Sequence, residues 1–138
     1  MGKKYTGISI QTPYAMMILR GEKTVEVRTY PIPKKHIMKW LVLIEAPGKR
    51  RRSSSRIIGI VRFGGAFLYS SEKEFYSDVG KHLVGRDSGF IWDGSKKYGW
   101  QIESVKSFEE EIPCDKKIRG VVFRRNIEID MDKIKTKQ

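Results

Sequence analysis

Cysteine is almost missing from this chain. Its one thiol, Cys114, has no second cysteine to pair with, so no internal disulfide staples the fold, which fits a reducing compartment. Histidine is nearly as scarce, with only His36 and His82. Two histidines and one cysteine in separate segments offer no zinc-ligand spacing and no Ser-His-Asp or Cys-His arrangement, so no metal and no cofactor are expected. No apolar run approaches the roughly 20 residues that span a bilayer, and no apolar signal-peptide core opens the sequence. A membrane partner is therefore not expected, and the expected location is cytoplasmic (nuclear in a eukaryotic cell). Acidic residues are short in the first half. Residues 1–60 hold 13 Lys and Arg against 3 Asp and Glu, whereas residues 61–138 hold 15 against 13. The net charge of +12 is thus concentrated early in the chain. A field of that sign attracts polyanions, nucleic acid before acidic membrane or acidic protein.

What is present suits one folded unit. The 138 residues include three Trp, six Tyr and six Phe, enough large apolar side chains for one core. Ile8–Gln11 reads as a short strand. Thr12 and Pro13 then signal a helix start, Tyr14–Arg20 the helix and Gly21 its stop. The stretch Gly21-Glu22-Lys23-Thr24-Val25-Glu26-Val27-Arg28 turns into a second strand, which continues to Tyr30. With period two, Val25 and Val27 take one face and Thr24, Glu26, Arg28 and Tyr30 the other. Pro31 and Pro33 break that strand. Trp40–Ala46 and Ile57–Phe63 are strongly apolar strands, the first central, and Gly59 marks a bulge or a close backbone approach. Ser71 and Glu74 form a capping box for a helix over Glu72–Leu83, with Phe75, Val79 and Leu83 as its buried stripe. Tyr98–Val105 alternates as a strand, Phe108–Pro113 reads as a connection, and Gly120–Arg125 as a last strand extended by Ile127 and Ile129. Few helices among many short strands make the class α+β, with a partly closed barrel favoured.

Several of these segments together resemble one family. Gln11-x-Pro13-Tyr14-Ala15 followed by Gly21-x-Lys23-Thr24-x-Glu26-x-Arg28 is similar to the signature of ASCH domains. Ile58–Val61, Tyr98–Val105, Ile112-Pro113 and Gly120-Val121 resemble that family's later strands. The resemblance implies a single domain over 1–138, with a core of about 8–125 and a polar tail at 131–138. It implies a small mixed or antiparallel PUA-like β-barrel with two or more flanking helices and a cleft beside Lys23–Arg28. Related folds bind RNA or modified bases. A small bacterial branch hydrolyses the acetyl amide of N4-acetylcytidine with a Lys, a Thr three positions on and a distant Glu. Lys23 matches that Lys. Glu26 stands where that branch has Thr, so the nucleophile seat is altered, and Glu72 or Glu74 could stand in for the distant Glu.

Two functions follow as expectations. The first is a module for RNA or single-stranded nucleic acid. Lys49, Arg50, Arg51, Arg52 and Arg56 would contact phosphates, with Lys34, Lys35 and Lys39 as further candidates. Gln11, Tyr14, Lys23, Glu26, Arg28, Tyr30 and Trp100 would hold a base. Glu26 accepts from an amino group, Arg28 donates in a fork, and Tyr14, Tyr30 or Trp100 stacks. Core packing is the competing reading of Trp100. The second function is an amidohydrolase in which Lys23 serves as general base and Glu26 activates water or holds the amine. Nothing in the residues tells oligomeric state.

Overall fold

A computed structural model describes residues 2–47, 55–88, 91–114 and 123–137. The elements in chain order are β1 (Lys3–Gln11), α1 (Tyr14–Leu19), β2 (Val25–Arg28), β3 (Leu41–Ala46), β4 (Arg56–Tyr69), α2 (Glu72–Ser77), α3 (Val79–His82), β5 (Lys97–Pro113) and β6 (Phe123–Ile129). The strands form one sheet in the order β2-β5-β4-β3-β1-β6. β1 and β3 run parallel, and every other pair is antiparallel.

The reason β3 is so apolar is visible in its two faces. Successive side chains of a strand point to opposite sides. Leu41 and Leu43 enter one core with Ile8, Ile10, Ile18, Val61, Phe63 and Trp100. Val42 and Ile44 enter another with Ile57, Ile60, Phe108, Ile127 and Ile129. A strand buried on both faces loses the alternation that a half-exposed strand shows. Its central place, between β4 and β1, matches the expectation from sequence.

Gly59 has both properties its position suggested. The register of β3 on β4 slips beside it, so that Leu43 faces Gly59 while Ile44 faces Ile57. A Cβ at Gly59 would also collide with the backbone carbonyl of Lys106 on β5. The glycine therefore lets β4 and β5 approach where the bulge bends the ribbon.

Tertiary pairing overrides several local signals. β1 begins at Lys3 rather than Ile8, because β6 pairs along its first half. Phe108–Pro113 is strand and not connection: β4 and β5 form one long antiparallel ribbon from Tyr69 opposite Lys97 to Arg56 opposite Pro113. Glu109, Glu110 and Glu111 still face solvent there. Thr12 does not cap α1. Pro13 is the N-cap residue and no side chain bonds the helix start, while Gly21, at φ +77°, follows its end as expected. Ser71 does cap α2, accepting from the Glu74 N–H at 3.1 Å. The helix then breaks at Asp78, which receives the Tyr69 hydroxyl at 2.8 Å. The break spoils the spacing-four stripe. Phe75 is buried, but Val79 is exposed, and His82 and Val84 turn inward instead.

The α+β class is the one expected, but the sheet is open. Among the described residues β2 and β6 do not pair. β6 pairs with β1 only as far as Ile8, and one residue further on the Arg28 guanidinium of β2 donates to the Ser9 carbonyl at 3.1 Å. A side chain thus spans the seam where a backbone ladder would close a barrel. The gap between the free edge of β2 and the C-terminal end of β1 is the mouth of the cleft described next.

Candidate ligand-binding cleft

The turn after α1 sets the site. Glu22 and Lys23 both donate their backbone N–H to the Met17 carbonyl, at 3.0 and 3.1 Å, which folds the chain back and sends Lys23 inward. The Thr24 N–H then bonds the Lys81 carbonyl at 2.9 Å, fastening the start of β2 to α3. Lys23 is 1% exposed. Its ammonium donates to the His82 carbonyl, lies 3.5 Å from Glu26 Oε1 and sits 4.9 Å from the centre of the Tyr14 ring. The other Glu26 oxygen accepts from Arg28 Nε at 2.9 Å and lies 2.8 Å from Nη2 in the ion pair. Arg28 also lies over the indole of Trp100, 5.7 Å from its centre. One buried carboxylate therefore holds two cations.

These groups open into a cleft of about 440 Å³. Gln11, Tyr14, Lys23, Glu26, Arg28 and Tyr30, all singled out in the sequence, line it. Ser9, Thr29, Val84 and Lys97 line it as well, and nothing local in the sequence marks them. Ser9 and Val84 come from β1 and from the turn after α3, brought together by the sheet and by the Thr24–Lys81 bond. Period two does not divide β2 cleanly. Val25 and Glu26 are both buried, because this edge strand is packed on each side.

Other candidates lie elsewhere. Trp100 is 0% exposed and is no part of the cleft lining; its Nε1–H donates to the Tyr30 carbonyl at 2.8 Å. It supports the cleft from within the core and offers no face to a base. Glu72 pairs with Arg86 at 3.2 Å, and Glu74 bonds the Ser70 hydroxyl. Both are exposed on α2 and away from the cleft lining, so neither supplies a distant catalytic carboxylate. Lys49, Arg50, Arg51 and Arg52 fall outside the described residues. Arg56 is engaged by Glu45 at 2.5 Å and Glu111 at 2.6 Å, tying β3, β4 and β5 together, so a phosphate there would compete with two carboxylates. Lys34 is exposed on the connection after β2. Lys35 and Lys39 join Lys4 and Arg125 around a groove of about 410 Å³ walled by His36 and Trp40. The same connection, residues 29–39, thus walls the cleft at one end and this basic groove at the other.

Burial sets the charge states. Desolvation lowers the Lys23 pKa below that of an ordinary lysine, against the opposing pull of Glu26. Desolvation also raises the Tyr14 hydroxyl, with Glu26 adding to the rise and a bond to Ser88 opposing it. His82 is buried and stacked on Phe75, 4.2 Å between ring centres. Its Nδ1 accepts from the Val84 N–H at 2.9 Å and its Nε2 donates to the Phe75 carbonyl at 2.7 Å. That pattern requires the neutral imidazole. Burial first, then the charge of Lys23, holds its pKa below the usual value, while the Phe75 carbonyl and Asp78 pull the other way.

A pH dependence follows from His82. In the unfolded chain it takes up a proton near pH 6.5, and in the fold only at a lower pH. The unfolded state therefore binds more protons as pH falls below about 6.5, and stability falls with it. The urea midpoint is expected to drop between pH 7.5 and pH 5.5, and His82→Gln is expected to flatten that drop. An equal drop in the variant would remove His82 from the account.

The ASCH domain family model matches residues 8–129. Solved structures of the ASCH protein from Zymomonas mobilis are similar in fold. The unsubstituted protein aligns at a TM-score of 0.63 and 18% identity, covering 87% of this chain and 85% of that one. Its serine-to-alanine variant aligns at 0.64 and 18%, covering 87% and 86%. A tyrosine-to-phenylalanine variant aligns at 0.62 and 17%, covering 87% and 88%. Likeness at that identity speaks to fold alone. No curated protein matches the chain.

Proposed function

The chain belongs to the ASCH domain family, whose PUA-like fold is often linked to RNA binding, and from that premise we propose that it binds RNA or single-stranded nucleic acid with one base seated in the cleft. One observation carries the reading: a carboxylate and a guanidinium lie side by side in a cleft of about 440 Å³ that Tyr14 and Tyr30 also line. A nucleobase edge presents adjoining donors and acceptors, and Glu26 with Arg28 offers the complement. Tyr30, 37% exposed at the rim and edge-on to Trp100, is the ring proposed to stack. The groove lined by Lys4, Lys35, Lys39 and Arg125 would carry neighbouring phosphates.

A short labelled RNA titrated at two salt concentrations tests this. Tyr30→Ala is expected to weaken binding by the worth of one stacked base, about 1–3 kcal/mol. Changing Lys35, Lys39 and Arg125 together to Gln is expected to flatten the salt dependence, each lost phosphate contact removing roughly 0.7 from the slope on a single strand. No binding at low salt, or full affinity in Tyr30→Ala, would sink the reading.

Hydrolysis of an acylated base is the second reading. The observation in its favour is that burial lowers the Lys23 pKa beside a carboxylate in the cleft. A neutral amine would take a proton from water as it attacks the acyl carbon, releasing acetate and the free base amine. Binding is preferred because the Lys23 nitrogen is already held by the His82 carbonyl and Glu26. Acetate release from N4-acetylcytidine that disappears in Lys23→Met would reverse that preference.

A further inference from the structure

We propose that the cleft holds a phosphate of its ligand on Lys97, so that the ligand is a nucleotide and not a bare base or nucleoside; this rests on the nucleobase reading above. Lys97 opens β5 and lines the cleft, yet is only 8% exposed. Its acidic neighbour Asp93 lies 3.8 Å away, beyond hydrogen-bond distance, and is itself at the surface. Asp93 is engaged by Ser95, accepting from its N–H at 3.0 Å and its hydroxyl at 2.5 Å.

Among the described residues the cleft lining holds three cationic side chains and one carboxylate. Among the described residues Glu26 is the one carboxylate in that lining, and it already serves Lys23 and Arg28. Lys97 is a third cation. Even a neutral Lys23 leaves Arg28 paired with Glu26, and Lys97 with only the exposed Asp93, 3.8 Å away and outside the cleft lining. A mostly buried lysine whose one acid partner is long and exposed gains from an anion that comes within hydrogen-bond distance.

A phosphoryl group fits that vacancy in charge: a monoester carries about −1.5 to −2 at neutral pH and offers strong acceptor oxygens. The strand register places it. Arg28 pairs with Tyr98 across β2 and β5, and Lys97 is the next residue along. Lys97 therefore stands one residue beyond Arg28, away from Lys23, and its side chain leaves β5 on the face opposite to those of Glu26 and Arg28, entering the cleft lining from the other side of edge strand β2. A mononucleotide and an internal link of a strand present the same phosphate chemistry to Lys97.

Calorimetry with nucleosides, their 5′-monophosphates, a dinucleoside monophosphate and inorganic phosphate tests the proposal. Monophosphates are expected to bind roughly tenfold or more tightly than nucleosides, the worth of one charge-assisted hydrogen bond. Lys97→Met keeps the apolar stem, and is expected to erase that difference. Asp93→Asn is expected to keep it. A dinucleoside monophosphate that shares the Lys97-dependent gain points to an internal phosphodiester, and one that lacks it points to a terminal monoester. Equal affinity for nucleosides and monophosphates in the wild type overturns the phosphate site and leaves the base reading standing. If inorganic phosphate raises the melting temperature of the wild type but not of Lys97→Met, while no nucleoside binds, the base reading fails and the anion site survives. A monophosphate advantage that persists in a folded Lys97→Met places the phosphate elsewhere and overturns the assignment.

Discussion

Glu26→Ala is expected to destabilise the protein by roughly 3–5 kcal/mol, the cost of removing one partner from a buried ion pair. The size follows from what the carboxylate holds. Lys23 is buried, Arg28 is largely so, and both meet the same side chain. Removing it leaves two desolvated cations facing each other across the space it occupied. The melting temperature should fall by roughly 10 °C or more at a few degrees per kcal/mol. Glu26→Gln should cost less, since an amide oxygen still accepts from Arg28. Lys23→Met combined with Glu26→Ala should be less damaging than the two single changes added together, because one of the stranded charges is then gone. Urea unfolding and thermal melting of the wild type and these four variants measure all of this. A loss under 1 kcal/mol for Glu26→Ala would show the triad to be solvated, and the electrostatic account of the cleft would fall with it.

Trp100→Ala should be comparably severe, about 3–5 kcal/mol for emptying a fully buried indole. Trp100 meets Phe63 and Tyr30 edge-on, each 5.6 Å between ring centres, and stacks with Phe123 at 6.1 Å. It also carries the bond to the Tyr30 carbonyl that holds the rim of the cleft. Trp100→Phe preserves much of the packing but strands that carbonyl, at about 1–3 kcal/mol. The alternative use of this residue, as a platform for a base, predicts the reverse: lost binding with stability nearly unchanged. Trp100→Ala remaining within 1 kcal/mol of the wild type in chemical denaturation would refute its place in the core.

Legibility followed distance along the chain. The triad could be read because Lys23, Glu26 and Arg28 lie within six residues, and a turn followed by a strand fixes their spacing with little help from elsewhere. Gly59 could be read for a similar reason, since a glycine inside an apolar strand has few explanations besides a bulge or a close approach. The helix over Glu72–Leu83 was legible at its start, where Ser71 caps it locally. Its break at Asp78 was not, because the hydroxyl that meets Asp78 comes from Tyr69 on β4. The long run of β5 through Phe108–Pro113 was hidden too. Three successive glutamates suggest a solvent loop, and only pairing with β4 makes them the outer residues of a strand.

By itself, then, the order of residues determined the α+β class, the local geometry of the Lys23–Arg28 segment and six of the side chains that line the cleft. Pairing decided the rest. Whether Trp100 faced a ligand or the core, whether Arg56 was available to a phosphate, and whether Lys97 belonged to the site at all depended on which strands lay beside them. Charge and period describe what a residue can do on its own. Desolvation and partnership belong to the neighbours that folding supplies, and here those neighbours lie tens of residues away.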